Sequence, residues 1–318
     1  MKIVGHHKIY SVAFLGDGKQ VVSGGDEGKI RLWRAEDGKE VETPMDATRQ
    51  VNNIAVSRDG KWIVSGTDNG ELAVWDAEEH KKVIGWKGHR GRVYVVDVSP
   101  DGNRIASGSY DKTASVWLLS TGQRLLGPFE HKSAVVAAKF SPDGRLIATA
   151  TWRSSVRVYD TQNGRLLDVP IEVRSRFNQS LVWASNSKNL FALSLDGKIN
   201  YLDVSTGTTL FSWSIHSSDV PGCIALASNG TFVAASGDSS VSFWDITTHK
   251  QIGSIIDHAD LVVCMAISAN YDLIVSGGKT ITVRNICDAL PSSYCEDVSV
   301  FVRNFCCVGL IPNNKLLC

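Results

Sequence analysis

The stretch GHRGRVYVVDVSPDGNRIASGSYDKTASVWLL, residues 88–119, decides the fold. It contains short runs in which apolar and polar residues alternate, as expected for half-buried β-strands. Two turn signals, Pro100-Asp101-Gly102 and Tyr110-Asp111-Lys112, separate these runs, and the third run ends on Trp117. Strand-like runs joined by such turns predict antiparallel hairpins. One such unit cannot bury its apolar face alone, so the fold depends on what surrounds it.

The same pattern recurs along the chain with a nearly constant period. The residues aligned with Trp117 follow one another at steps of 42, 42, 42, 43, 42 and 40 residues. They are Trp33, Trp75, Trp117, Tyr159, Leu202, Trp244 and Arg284. An Asp-Gly pair begins 16 residues before each of the first four. This regularity predicts seven repeated units, and the lack of a helical apolar period makes them all-β.

Composition and charge exclude several functional classes. The chain has 318 residues, of which 43% are hydrophobic and 21% charged, values typical of a soluble globular protein. Lys+Arg and Asp+Glu both number 33, so the net charge gives no basis for binding nucleic acid or an anionic membrane. The sequence contains neither a secretory signal nor an apolar run of membrane-spanning length. We therefore expect a cytoplasmic or nuclear protein.

Several positions in register resemble the WD-repeat, or WD40, family. They are the Gly88-His89 opening, the turns at 99–102 and 107–111, and the Trp-Asp close at 75–76 and 244–245. The resemblance implies that residues 1–286 form a seven-bladed β-propeller with four-stranded antiparallel blades. It also implies that the N-terminal strand, residues 2–4, completes the last blade and closes the ring, which removes exposed sheet edges. Outer strands are then expected at 81–86, 123–126, 165–168 and 208–214.

Residues 287–318 lack the repeat and form a cysteine-rich C-terminal tail. Five of the seven cysteines lie after residue 286, without the spacing of a zinc site. We therefore expect free thiols, with no metal and no cofactor. A loose tail, an interaction segment and a gene-model artefact are equally compatible with the sequence. The alternating run at 298–302 is a rival to residues 2–4 for the edge of the last blade.

The third repeat also contains His89, Ser107 and Asp111, residue types that suggest a nucleophilic triad. Similar sets recur: His131 with Thr149 and Tyr159, and His216 with Asp238 and Trp244. Because an enzyme needs one activated nucleophile, repetition argues against catalysis. The resemblance implies instead a structural chain of hydrogen bonds from Asp111 through His89 and Ser107 to Trp117, complete only in the third repeat.

Partner binding is the function that remains. The resemblance implies that propellers bind partners on the face that carries the turns between second and third strands, together with the loops leading into each first strand. The predicted binding residues on this face, beside blades three to five, are Tyr110, Trp152, Arg153, Arg92, Lys132, Arg174, Arg176 and Phe177. Exposed aromatic and arginine residues are enriched at binding hot spots. The patch therefore predicts an acidic or phosphorylated peptide as partner.

Two alternatives to this interpretation stay open. Tyr110 could be an ordinary repeat residue and the arginines could be solvated surface charges. The third and fourth repeats also resemble, more loosely, those of fungal signalling and NOD-like receptor proteins, which suggests a sensor module of a larger receptor. The leading hypothesis is a non-enzymatic scaffold for protein or peptide partners, without a small-molecule substrate. An enzyme on a propeller fold is least supported, since no single non-repeating catalytic cluster is found.

Overall fold

The computed structural model of the chain describes residues 2–4, 7–152, 155–167, 171–172, 177–194, 196–215, 222–227, 229–270 and 272–295. Within these residues the chain forms seven four-stranded antiparallel sheets, which are the blades of a propeller. The predicted all-β, seven-bladed fold is thus confirmed. The only helices in the described ranges are two short 3₁₀ turns, Ile286–Asp288 and Ser292–Tyr294.

The first four blades follow one another along the chain, each from its inner to its outer strand. Blade one is β2 (Ile9–Phe14), β3 (Gln20–Gly25), β4 (Lys29–Arg34) and β5 (Glu40–Asp46). Blade two is β6 (Val51–Val56), β7 (Trp62–Thr67), β8 (Glu71–Asp76) and β9 (Lys81–Lys87). Blade three is β10 (Val93–Val98), β11 (Arg104–Ser109), β12 (Thr113–Leu118) and β13 (Arg124–Glu130). Blade four is β14 (Val135–Phe140), β15 (Leu146–Thr151), β16 (Ser155–Asp160) and β17 (Ile171–Glu172).

The last three blades complete the ring. Blade five is β18 (Phe177–Trp183), β19 (Asn189–Ser194), β20 (Lys198–Asp203) and β21 (Thr209–Ser214). Blade six is β22 (Ile224–Leu226), β23 (Phe232–Gly237), β24 (Ser240–Asp245) and β25 (Gln251–Asp257). Blade seven is β26 (Cys264–Ile267), β27 (Leu273–Gly277), β28 (Thr280–Asn285) and, from the other end of the chain, β1 (Lys2–Val4).

The Asp-Gly pairs make the hairpin turns that the sequence predicts. Gly102 and its three counterparts have φ between 71° and 75°, a left-handed conformation that glycine adopts without steric cost. The Asp101 carboxylate accepts a hydrogen bond from the backbone N–H of Asn103, and the aspartates of the other three turns make the same bond two residues ahead. Side chain and backbone therefore specify the same turn, which fixes the register of the strands on either side.

The apolar core lies between neighbouring blades. Val22, Leu32 and Met45 of blade one pack in one cluster with Ile63 and Trp75 of blade two. Equivalent clusters join the other blades, because each sheet has two apolar faces and each face needs a neighbour. Blade-to-blade contact is therefore the main source of stability, and an isolated blade would expose both faces.

Polar side chains add bonds between the inner strands. The Asn53 side chain accepts a hydrogen bond from Val96 N at 2.9 Å, which joins blades two and three. Asp97 accepts from Phe140 N at 2.9 Å and from Lys139 Nζ at 2.8 Å, which joins blades three and four. These bonds satisfy backbone donors of inner strands that face the channel, and they hold adjacent blades at one height.

Strand β1 closes the ring by pairing with β28. Lys2, Ile3 and Val4 lie opposite Thr282, Ile281 and Thr280, respectively. Ile3 is buried in the cluster that joins blades seven and one, and the backbone N–H of Ile9 donates to Gly278 O at 2.8 Å. The N-terminal closure predicted from the sequence is confirmed. The rival segment, residues 298–302, lies outside the described residues.

Two expectations need correction. The outer strand of blade four was expected at 165–168. Among the described residues of that range only Leu166 forms a bridge, and the paired strand β17 lies at Ile171–Glu172. Pro170, which has no N–H to donate to a ladder, interrupts this part of the sequence. The cysteines were expected to be free, yet Cys287 and Cys295 form a disulfide. Cys223 and Cys264 are free thiols.

The described part of the C-terminal segment packs on blade six. Ala289 O accepts a hydrogen bond from Ser254 N at 2.8 Å, and the Tyr294 hydroxyl donates to the Asp245 carboxylate at 2.6 Å. Leu290 is buried in the cluster that contains Phe232. Residues 286–295 therefore contact the outer half of blade six, whereas most of the predicted tail, 287–318, lies outside the described residues.

Candidate functional site

The predicted binding face is built by turns and loops that bond to each other in register. The backbone N–H of Tyr110 donates to Arg92 O at 2.9 Å, and that of Trp152 donates to Ala134 O at 3.2 Å. Asp26 and Asp68 make the corresponding bonds in blades one and two: to Lys8 O and Gln50 O, both at 3.1 Å. The turn between second and third strands thus lies beside the loop leading into the first strand. We call this side of the ring the turn face.

Three aromatic rings meet on the turn face of blades three and four. The ring centroid of Tyr94 lies 6.3 Å from that of Tyr110 and 5.3 Å from that of Trp152. Tyr110 is 59% exposed and Trp152 is 41% exposed. Tyr94 is half-buried between these two rings, so that it links Tyr110 and Trp152, which are 42 positions apart in the sequence, into one continuous aromatic surface. We call Tyr94, Tyr110 and Trp152 the aromatic patch.

Two basic residues adjoin the aromatic patch. Arg92 and Lys132 are exposed on the loops leading into β10 and β14, and neither forms an ion pair within the part of the chain that the structure describes. Burial raises the pKa of Tyr94, Arg92 opposes that shift, and Tyr110 adds to it. The Tyr94 hydroxyl therefore stays protonated at neutral pH and can donate a hydrogen bond to an acceptor on the surface.

The sequence missed Tyr94 and named residues that the structure does not place. Tyr94 stands between the buried Val93 and Val95, so an aromatic at a solvent-facing position of an inner strand was the available signal. Of the other predicted residues, Arg153, Arg174 and Arg176 lie outside the described residues. Phe177 begins β18, but its side chain is not among those described.

A buried hydrogen-bond network joins four side chains in blade three. The Asp111 carboxylate accepts from His89 Nδ1 at 3.1 Å. His89 Nε2 lies 2.7 Å from Ser107 Oγ. The Ser107 Oγ accepts a hydrogen bond from Trp117 Nε1 at 2.7 Å. Burial raises the pKa of Asp111, but hydrogen bonds from His89 and Thr113 outweigh it and hold that pKa far below its usual range. The carboxylate is therefore charged and the network is satisfied at neutral pH.

The burial of this network makes it unsuitable for nucleophilic chemistry. Ser107 has no exposed surface, and His89 is 3% exposed. The Ser107 hydroxyl is already occupied as the acceptor of the Trp117 indole N–H. Because it lies inside the packed interface of blades two and three, a substrate carbonyl has no open path to it. The network of blade three instead fixes the register of neighbouring strands, and we call it the register lock.

Comparison with known families agrees with this geometry. A family model described as WD domain, G-beta repeat matches five segments that together make up more than half of the chain: residues 1–34, 38–76, 80–117, 123–160 and 207–245. The chain belongs to the WD40 family. No curated protein matches the sequence, so the looser resemblance to fungal proteins has no support from relatives.

Not every WD40 blade of this chain carries the full network. The Trp33 and Trp75 indoles donate to Ser23 and Ser65, in blades one and two. In blade six the Trp244 indole turns instead to Ser242 on its own strand, at 2.8 Å. Asp238 lies in the preceding turn with φ of 56°, and His216 lies outside the described residues. The lock is therefore strongest in blade three.

Blade four keeps the histidine of the network, but its sequence has Arg153 at the position of the acceptor Asp111. His131 is buried, and its Nε2 lies 3.3 Å from Thr149 Oγ1. Its Nδ1 has no hydrogen-bond partner among the described residues. Burial, together with the positive charge of Arg157, lowers the pKa of His131 to about 4. His131 is therefore a neutral buried imidazole at physiological pH.

Other kinds of site receive no support from the described ranges. Those ranges contain no group of three or more His, Cys, Asp or Glu side chains placed to hold a metal ion. Neither of the two short helices in the same ranges could span a bilayer. The aromatic patch with Arg92 and Lys132 is the candidate binding site that the geometry defines.

Substituting two buried serines of blade three tests the network. Ser107→Ala removes the partner of both His89 and Trp117, and we expect it to lower the free energy of unfolding by about 2–4 kcal/mol. Ser115 is equally buried, but its hydroxyl has no hydrogen-bond partner among the described residues. Ser115→Ala should therefore change stability by less than about 0.5 kcal/mol or increase it. Urea denaturation followed by circular dichroism measures both, and equal losses would contradict the account.

His131 gives the protein a pH dependence that can be isolated. Since its pKa is about 4 when folded and about 6.5 when unfolded, the unfolded chain binds the proton more tightly. The neutral His131 therefore contributes fully to the free energy of unfolding above about pH 6.5. About 3 kcal/mol of that free energy is lost as the pH falls to about 4. His131→Gln should show a correspondingly smaller loss of stability over that range in urea titrations. Parallel pH profiles of variant and wild type would refute the assignment.

Proposed function

We propose that this chain is a WD40 interaction scaffold that binds an acidic or phosphorylated peptide on the aromatic patch. The observation that carries the proposal is the contact among Tyr94, Tyr110 and Trp152, which forms a partly exposed aromatic surface. Beside it lie two cations, Arg92 and Lys132, that make no ion pair with the described residues. WD40 propellers typically serve as protein-interaction scaffolds, and this patch is where such an interaction has both apolar area and charge.

The chemistry of the patch suits a peptide. Tyr and Trp rings supply large contact area and lose little conformational entropy when they are covered, and they accept both apolar side chains and peptide planes. Arg92 and Lys132 lie on the two loops that adjoin the aromatic patch, so acidic or phosphorylated residues flanking an apolar anchor would meet an opposite charge. The apolar contacts would set the lifetime of the complex, and the cations its rate of formation.

The neighbouring part of the turn face, on blades one and two, favours one orientation of the partner. Asp26 and Asp68 occupy, in blades one and two, the turn positions that Tyr110 and Trp152 occupy in blades three and four. A face that is acidic on one side and basic on the other orients a charged partner although the net charge of the chain is zero. The same surface would serve a sensor module of a larger signalling protein.

Peptide selection against the intact chain tests the proposal. Arrays of acidic, phosphoserine-containing and basic peptides would be probed, and the best peptide measured by fluorescence polarisation. We expect acidic or phosphorylated peptides to be enriched, and Tyr110→Ala/Trp152→Ala to weaken binding at least about tenfold. Arg92→Ala/Lys132→Ala should reduce the association rate and its dependence on salt.

The matched control removes exposed apolar residues from another blade. Leu210 and Phe211, on the outer strand of blade five, are 44% and 52% exposed. Leu210→Ala/Phe211→Ala should leave binding unchanged, while circular dichroism shows that all variants are folded. Equal binding by the patch variant and the control would mean that Tyr110 is an ordinary repeat residue, and it would overturn the proposal. Enrichment of basic peptides would do the same.

A further inference from the structure

A cavity lies between blades six and seven, away from the aromatic patch. Its volume is about 310 Å³. The lining residues are Lys2, Asp257, His258, Ala259, Thr280, Thr282 and Arg284. A water molecule takes about 30 Å³ in the liquid, so the cavity has room for an anion of several heavy atoms together with part of its hydration shell.

The cavity exists because two aromatic residues found between other blades are replaced here. Between blades two and three, the rings of Trp86 and Trp117 fill the space, with centroids 5.9 Å apart. In blade two, Trp86 pairs with Leu72, which stands three residues before the marker Trp75. In blade six, Ile256 pairs with Val241, which likewise stands three residues before the marker Trp244. Ile256 therefore stands in the place of Trp86. Since Arg284 stands in the place of Trp117, a smaller side chain and an exposed cation replace the ring pair.

Strand pairing directs several donors toward the same space. Lys2 lies directly opposite Thr282 in the β1–β28 ladder, so their side chains share one face of the sheet. Thr280 and Arg284 lie on that face too, because side chains two residues apart point the same way. Neither Lys2 nor Arg284 forms an ion pair within the described ranges of the chain. Two cations and two hydroxyl groups thus line one wall.

His258 completes the cavity from the side of blade six. Its Nε2 lies 3.1 Å from Ser276 Oγ. The turn of blade seven reads Gly277-Gly278-Lys279, so it offers no carboxylate like the one Asp111 gives to His89. Burial and then the charge of Arg284 lower the pKa of His258, while Asp257 opposes them. Asp257 is the one acidic residue of the lining, against two permanent cations.

We propose that this cavity binds a phosphate group, either inorganic phosphate or a small phosphate monoester. A tetrahedral dianion presents several acceptor oxygens, which match an ammonium, a guanidinium fork, two hydroxyls and an imidazole arranged around it. The ligand would contact β1, β28 and the loop after β25, three segments that meet at the closure of the ring. Binding would therefore stabilise the closed ring.

Thermal unfolding with inorganic phosphate in place of chloride, at constant ionic strength, tests the site. We expect phosphate to raise the Tm of the wild-type chain, with O-phosphoserine as a second probe that separates monoesters from the free ion. Arg284→Met should weaken phosphate binding at least about tenfold. Arg284→Trp, which would refill the cavity as Trp117 does, should abolish it in a folded protein. The exposed Arg58 provides a matched control, and Arg58→Met should respond like the wild type.

The ring resonances of His258 in NMR spectra report on the site itself. Phosphate should shift them in the wild type and in Arg58→Met, and leave them unchanged in Arg284→Trp. Absence of a Tm response in the wild type would overturn the proposal. So would an undiminished response in both Arg284 variants, which would place phosphate elsewhere, as at Arg92 and Lys132. Because that outcome leaves peptide binding intact, the two proposals can fail separately.

Discussion

The pairing of β1 with β28 is the constraint on which the rest of the structure depends. Three residue pairs join the two ends of the repeat array, and Ile3 enters the apolar cluster that blades seven and one share. A closed ring gives every blade two neighbours, so both of its apolar faces are covered. Closure also holds the turns of consecutive blades side by side, which is how Tyr110 and Trp152 come to share a surface.

The seven blades differ in how completely they keep the repeat. Blade three has the complete chain from Asp111 to Trp117, and it presents Tyr110 on its turn. Among the described residues His131 Nδ1 of blade four has no hydrogen-bond partner, and blade seven has Arg284 in place of the aromatic marker. Where the repeat is complete, as in blade three, the His89 network is hydrogen-bonded and the Trp86 and Trp117 rings fill the space between blades. Where it is broken a buried titratable group or an open cavity results, and such departures are expected at functional positions.

Features that follow from the repeat period could be predicted from the sequence. Contacts that depend on how two blades are placed against each other could not. Blade number and the third-strand markers follow from a repeat of about 42 residues and its turns, whereas N-terminal closure followed from the resemblance to the WD40 family. The position of Tyr94 offered a signal, but its contact with Trp152 could not be predicted, because that contact arises only when two blades are placed side by side. The shift of the blade four outer strand and the Cys287–Cys295 pair depend on local geometry that no period specifies.

Hydrogen–deuterium exchange of the intact chain, with and without the best-binding acidic peptide, tests the central claim that partners bind through the aromatic patch. We expect added protection in the segments 91–95, 108–112 and 132–136, where the patch and its flanking cations lie. Segments of the outer strands, such as Thr209–Ser214 of blade five, should exchange as in the free chain. Protection confined to the outer strands, or to blades one and two, would contradict the claim.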